Sequence, residues 1–170
     1  IDLDPRLAIR INGVATRAGL ADLLALAAAP RRPTLLFVPM VEHAAEIAIV
    51  RQVIDDPVVG LVPLIETVTG LENARAIASD SAVSMVMFGG GDFSAQLGVA
   101  LAWEPLAVAR AQLLMACAAA GKPAIDMPYI HMDDEAGLLA ECAAAKALGF
   151  AGKAAIHPAQ IAAIHATFRP

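Results

Sequence analysis

Two carboxylates stand out by where they fall. Glu66 closes the run VPLIE and Asp92 closes MFGGGD, so each acid ends a short apolar segment that reads as a strand. Neighbouring strands in a sheet lie about 5 Å apart, so two side chains at adjacent strand ends can converge. Converging carboxylates with open positions beside them suit Mg²⁺, which prefers oxygen ligands, keeps several waters and often takes only one or two carboxylates from a protein. The alternative is that each acid caps the helix that follows it. Gly89-Gly90-Gly91, just ahead of Asp92, leaves backbone N–H groups uncovered by side chains. Such donors at a helix N-terminus make an anion site without a lysine, where a substrate carboxylate can rest. The same glycines also suit a tight strand-to-helix turn.

Arg10 lies in the apolar segment LAIRIN. A charge buried there needs a partner. That partner is either a structural counter-ion or a bound carboxylate or developing enolate oxygen held by the guanidinium fork. Asp126, in PAIDMPY, has the same strand-end position and reads as hydrogen-bonding scaffold or as substrate contact. His157, ahead of Pro158, reads as structural. His43, His131 and His165 have no companion at metal-ligand spacing, which argues against zinc. There is no GxSxG motif, and neither cysteine stands in a nucleophile-like loop.

The elements that must carry these residues alternate. The runs Leu7–Asn12, Thr34–Met40, Val58–Glu66, Ser84–Asp92, Pro123–Tyr129 and Phe150–His157 are short, β-branched and nearly continuous in apolar residues. Strands buried on both faces of a parallel sheet read this way. Between them lie segments of helical spacing: Thr16–Ala28 (with Leu20, Leu23, Leu24 and Ala27 on one stripe), Glu42–Ile54, Gly70–Ala78, Glu104–Ala120 and Asp133–Leu148, with a last helix from Pro158. Pro105 suits a first helical turn, Asp133-Asp134-Glu135 a helix N-terminus, and Gly121 and Gly149 the ends of helices. Six βα units with short connections predict an open doubly wound sheet or a (β/α)₈ barrel. No GxGxxG or GxxxxGK[ST] follows a strand. The polar residues Arg10, Asn12, Glu66, Asp92, Asp126 and His157 gather at strand C-termini, where barrel enzymes keep their active sites, and this favours the barrel. Six units fall short of eight, and a whole barrel typically needs about 250 residues.

Composition sets the outer limits. The chain has 170 residues, 58% of them apolar and 17% charged, which predicts one domain, residues 1–170, with a large core. Its mean hydropathy is +0.64, but Asp80, Asp92, Glu104 and Arg110 interrupt the richest region before a spanning helix is reached. A formal charge of −5 and a pI of about 5.2 argue against nucleic acid as partner. Cys117 and Cys142 sit in alanine-rich helices and read as buried free thiols of a cytoplasmic protein. No signal peptide or lipidation motif is read, and the opening Ile1 reads as something less than a complete gene product.

Six stretches carry a resemblance. They are IRINGVATRAGLADL (Ile9 to Leu23), FVPMVEHAAEI (Phe37 to Ile47), LVPLIETVTGLENARAIA (Leu61 to Ala78), MFGGGDFSAQLG (Met87 to Gly98), AGKPAIDMPYIHMDDEAGL (Ala120 to Leu138) and LGFAGKAAIHPAQI (Leu148 to Ile161). Together they resemble the HpcH/HpaI aldolase and citrate lyase β-subunit (CitE-like) superfamily, and the first and last resemble its CoA-ester lyase branch. The resemblance implies a (β/α)₈ TIM barrel assembled as a homo-oligomeric trimer or hexamer. It implies an Mg²⁺-dependent lyase that works on a carbon–carbon bond beside a thioester of the citryl-CoA, malyl-CoA or citramalyl-CoA type, releasing an oxo acid and an acyl-CoA. By the same analogy Glu66 and Asp92 are metal ligands, Arg10 contacts the oxo acid, and the amides around Gly90, Gly91 and Asp92 hold its carboxylate.

The chain departs from that pattern in four places. It lacks two opening βα units resembling LFVPG and LDLED, and a C-terminal extension after Pro170. It has Gly91 where many members carry an acid, and Met40 where many CitE-like members carry lysine. Two other activities suit the same residues: a class II 4-hydroxy-2-oxo-acid aldolase, and a non-catalytic metal-binding subunit of a multi-subunit lyase.

Overall fold

A computed structural model describes residues 7–169. It contains six strands: β1 (Ala8–Arg10), β2 (Leu35–Val38), β3 (Gly60–Ile65), β4 (Val86–Phe88), β5 (Ala124–Asp126) and β6 (Gly152–Lys153). They form one sheet in the order β1-β2-β3-β4-β5-β6, and every pairing is parallel. A doubly wound sheet needs a point where strand order reverses, and this sheet has none. Its helices agree. α1 (Arg17–Ala27) packs on α2 (Ala44–Ile54), α2 on α4 (Ala74–Ala78), and α4 on α6 (Trp103–Ala119), so successive helices are neighbours along one side. This is a six-stranded arc of barrel type. The described residues supply six of the eight strands of the expected ring, and β1 and β6 are the edges of the arc.

Local signals explain most boundaries. Thr16 caps α1 by accepting from the Gly19 N–H at 3.0 Å, and Thr67 caps α3 (Val68–Glu72) through Gly70 in the same way. Asp134 caps α7 (Glu135–Leu148) through the Gly137 N–H at 2.8 Å. Gly149 ends α7 with φ of 119°, and Gly121, just past α6, has φ of 68°, a backbone region that favours glycine. α8 (Ile161–Phe168) follows a short 3₁₀ turn, Pro158–Gln160, which His157 caps through the Ala159 N–H.

The structure revises the sequence reading in three places. The strands are shorter than their apolar runs, because the run ends are turns and loop anchors. The fourth run stops being a strand at Phe88, and α5 (Gly90–Leu97) begins two residues later, so Asp92 lies in the first turn of a helix. The stretch Gly70–Ala78 is not one helix, since Asn73 separates α3 from α4.

The core lies between sheet and helices. Leu61, Val62, Leu64 and Ile65 of β3 are buried, as are Ile47, Val50 and Ile54 of α2 and Leu106 and Leu113 of α6. Each such side chain contributes about 1.5–3 kcal/mol by leaving water. In α1 the buried positions are Gly19, Leu23 and Leu26, whereas Leu20 and Leu24 are 48% and 66% exposed. The stripe read from spacing is therefore half uncovered, because α1 flanks the sheet edge at β1. Cys117 and Cys142 are buried free thiols. Among the described residues no helix is long and apolar enough to cross a membrane.

Candidate active site

The C-terminal ends of β1, β3 and β4 open on one cavity of about 360 Å³. Arg10, Glu66, Gly89, Gly90, Gly91 and Asp92 all line it. All six positions stand out in the sequence by residue type, and the topology brings them together from three strand ends.

Glu66 follows β3 directly and is 5% exposed. Its Oε2 accepts from the Met40 N–H at 2.7 Å, and its Oε1 lies 3.9 Å from Arg10 Nη2. Gly89 packs against it so closely that a Cβ there would overlap the glutamate side chain. Burial pushes the Glu66 carboxyl above its ordinary value; the Met40 N–H and the Arg10 charge oppose this, and the charge on Asp92 adds to it. The helix-cap role considered for Glu66 belongs instead to Thr67.

Asp92 is exposed and sits in the first turn of α5, where a negative charge meets the positive end of the helix dipole. Gly90 and Gly91 open the same helix, so their N–H groups are among those without an intrahelical acceptor. A Cβ at Gly90 would strike the Met127 sulfur, so that side chain would have to move to admit one. Gly91 meets nothing within 4 Å, so its glycine is not required by packing.

Arg10 has 62% of its side chain exposed. The buried arginine read from LAIRIN is therefore an arginine at the open mouth, since it is the last residue of an edge strand. Its ion pair with Glu66 is long and solvated, and such pairs contribute little. The guanidinium is free to bind an anion from the cavity.

Of the two roles read for Asp126, hydrogen-bonding scaffold fits its place and substrate contact does not, since it is absent from the cavity lining. It is fully buried, with Oδ1 2.9 Å from Arg110 Nε and Oδ2 2.8 Å from Lys153 Nζ. Lys153 also donates to the Met127 carbonyl at 2.8 Å and to Glu141. The Arg110 guanidinium carbon stands 5.2 Å from the Phe88 ring centre and 4.5 Å from that of Trp103. Two cations and two anions thus tie β5, β6, α6 and α7 together behind the cavity wall formed by Phe88 and Met127. Sequence reasoning missed Arg110, Lys153 and Glu141. The signal was present, because Arg110 and Lys153 interrupt apolar elements and buried charges need partners. Asn12 is also drawn away from the cavity. Its backbone and side-chain nitrogens both donate to Asp22, at 2.9 and 2.8 Å, and this holds the Asp22 carboxyl below its usual range.

The donor set fits Mg²⁺. Glu66 and Asp92 face one cavity, close enough for the charge of one to disturb the proton affinity of the other. Among the described residues no three His, Cys, Asp or Glu side chains form a metal-holding group. Two carboxylates leave most coordination positions to water and ligand oxygens, as Mg²⁺ prefers.

The chain has known relatives. The family described as HpcH/HpaI aldolase/citrate lyase matches residues 3–158. Mitochondrial citramalyl-CoA lyase of Homo sapiens is 33% identical over 191 residues, which cover 100% of this chain and 56% of that protein. The chain therefore spans about half the length of the curated relatives it matches. The crystal structure of RipC from Yersinia pestis superposes with a TM-score of 0.94 at 43% identity, over 97% of this chain and 77% of that one. Protein CitE from Mycobacterium tuberculosis, in complex with magnesium, acetoacetate and coenzyme A, superposes with a TM-score of 0.86 at 30% identity, over 99% of this chain and 63% of that one.

Proposed function

The chain belongs to the HpcH/HpaI aldolase/citrate lyase family, and from that premise we propose that it forms most of the barrel of an Mg²⁺-dependent carbon–carbon lyase acting on a 3-hydroxy-carboxyacyl thioester. One observation carries the reading: Arg10, Glu66, Asp92 and the Gly89–Gly91 corner face a single cavity at the strand C-termini. Citramalyl-CoA lyase among its relatives, and a magnesium, oxo-acid and coenzyme A complex among its structural neighbours, support the same chemistry. The eight-stranded ring, with two further βα units pairing β6 to β1, is part of this proposal, and so is a single catalytic domain.

Glu66 and Asp92 would hold the ion through their carboxylate oxygens. When bound, Mg²⁺ supplies Lewis-acid polarisation of the hydroxyl and carboxylate oxygens of the substrate. The remaining work falls to the chain. The N–H groups of Gly90 and Gly91 donate to the substrate carboxylate at the N-terminus of α5. Arg10 reaches in from the opposite rim and donates to the oxygen that becomes the oxo group, where negative charge builds as the hydroxyl proton leaves. A base takes the hydroxyl proton, the carbon–carbon bond breaks, its electrons pass to the thioester α-carbon, and an acid gives that carbon a proton. The products are an oxo acid and an acyl-CoA such as acetyl-CoA.

The test is thioester cleavage with citramalyl-CoA or malyl-CoA, read as acetyl-CoA release. Glu66→Ala and Asp92→Ala are each expected to abolish Mg²⁺-dependent release. Full turnover in both variants would refute the site.

We also read the protein as a cytoplasmic homo-oligomer, a trimer or hexamer. Helix α6 supports the assembly: Val108 and Met115 are 69% and 65% exposed on its outer side, and Arg110, the sole charged residue between Pro105 and Gly121, is turned inward and buried. Apolar surface of this kind marks contact sites. The two buried thiols support a reducing compartment.

A further inference from the structure

Two non-glycine residues among those described have positive φ, Asp55 at 46° and Met40 at 55°. Asp55 is the C-cap of α2, a usual place for a left-handed residue, and its N–H closes on the Arg51 carbonyl at 3.0 Å. Met40 ends no helix. It stands two residues past β2, and the residue is 43% exposed, so tight packing around it does not impose the conformation. Strained backbone that packing does not explain tends to collect at functional sites.

What the turn achieves is an aim. With Met40 left-handed, its N–H points at Glu66 Oε2, 2.7 Å away. One residue later the chain is fixed again, because Val41 is fully buried and its N–H donates to the Leu64 carbonyl of β3 at 3.3 Å. Met40 is thus clamped between β2 and the β3 rim with its amide turned toward the cavity. From the other side, Gly89 leaves room for the glutamate and no more. Oε2 is held by the amide, and Oε1 is the oxygen that faces Arg10.

We infer that Met40 is a positioning residue: its strained backbone amide, and not its side chain, orients the Glu66 carboxylate for a divalent cation. The inference rests on the reading of Glu66 as a metal ligand. It predicts that substitutions at position 40 rank by how well they tolerate positive φ. Glycine adopts that region freely, unbranched residues at a moderate cost, and β-branched residues worst.

The test measures Mn²⁺ affinity by electron paramagnetic resonance on the whole chain, with folding checked by circular dichroism. Met40→Gly and Met40→Ala should bind within about twofold of the wild type, and Met40→Gly should also melt higher. Met40→Ile, close to methionine in size and hydrophobicity, should weaken binding about tenfold, as expected for a misaimed charge-assisted bond. Met40→Val serves in its place if the isoleucine variant does not fold. Unchanged affinity in the β-branched variant, or equal loss in the glycine and alanine variants, would overturn the inference. Glu66→Gln separates the two levels. Loss of Mn²⁺ there, with no effect of Met40→Ile, overturns the positioning role alone. Undiminished Mn²⁺ binding in Glu66→Gln, or no binding by the wild type, overturns the metal reading and this inference with it.

Discussion

At the scale of the residue, the site is built on a conflict between burial and charge. Glu66 is enclosed, so its carboxyl is raised above the ordinary 4.5, chiefly by desolvation. Between that value and the higher folded one, the native protein keeps a proton that the unfolded chain has lost. Stability therefore falls as pH rises through this window, and the whole cost stands above it. Glu66→Gln removes the charge and keeps an acceptor for the Met40 N–H. The metal-free variant should melt above the wild type at neutral pH, with the gap closing as pH drops below 4.5. Differential scanning calorimetry across pH checks this, and a gap that widens in acid would contradict it.

The glycines give a second contrast at this scale. Gly89→Ala forces a methyl into the Glu66 side chain and should cost about 1–3 kcal/mol of stability, the usual penalty for overpacking, and weaken metal binding as well. Gly91→Ala enters open space and should stay within about 0.5 kcal/mol of the wild type. Denaturant titration of the two variants reads the difference.

At the scale of the element, much of the fold was legible. Alternation of short apolar runs with helical spacing gave six βα units, because strands covered on both faces must be apolar throughout. The glycines after α6 and α7 and the acids before α7 marked helix ends through backbone freedom and dipole. What was hidden has physical causes. α5 carries its signature in Gly89–Gly91, residues poor at forming helix, so its start was masked by the corner it builds. Asn73 splits a stretch whose apolar spacing reads as one helix. Arg110, Lys153 and Glu141 were invisible as a group because they lie far apart in sequence and meet only through Asp126. That group sets the prediction for this scale. Removing Lys153 leaves two acids, Asp126 and Glu141, to the single charge of Arg110, and breaking a buried pair in this way costs about 3–5 kcal/mol. Lys153→Met should therefore destabilise the fold by that order in urea unfolding. A change below about 1 kcal/mol would show that the cluster is not the tie between β5, β6, α6 and α7.

At the scale of the whole molecule, sequential strand order and one-sided helix neighbours make the arc a barrel segment with β1 and β6 at its edges. Leu20 and Leu24, exposed on α1 beside that edge, were read as core because spacing alone cannot tell a covered stripe from one awaiting cover. The outer side of α6 carries no charge from Pro105 onward. Val108→Glu with Met115→Glu places charge where an interface needs none. The double variant should sediment as a smaller species with its circular dichroism unchanged, whereas an unaltered sedimentation coefficient would remove α6 from the interface.

The proposed chemistry depends on the two acids at the cavity mouth, Glu66 and Asp92. The most direct measurement is a crystal structure of the protein with Mg²⁺ and oxaloacetate. The expected result is one ion with an oxygen each from Glu66 and Asp92 at about 2.0–2.1 Å, the oxo acid beside it, and the Arg10 guanidinium on the oxo-acid oxygens. An ion bound elsewhere, or an oxo acid seated away from both carboxylates, would contradict it.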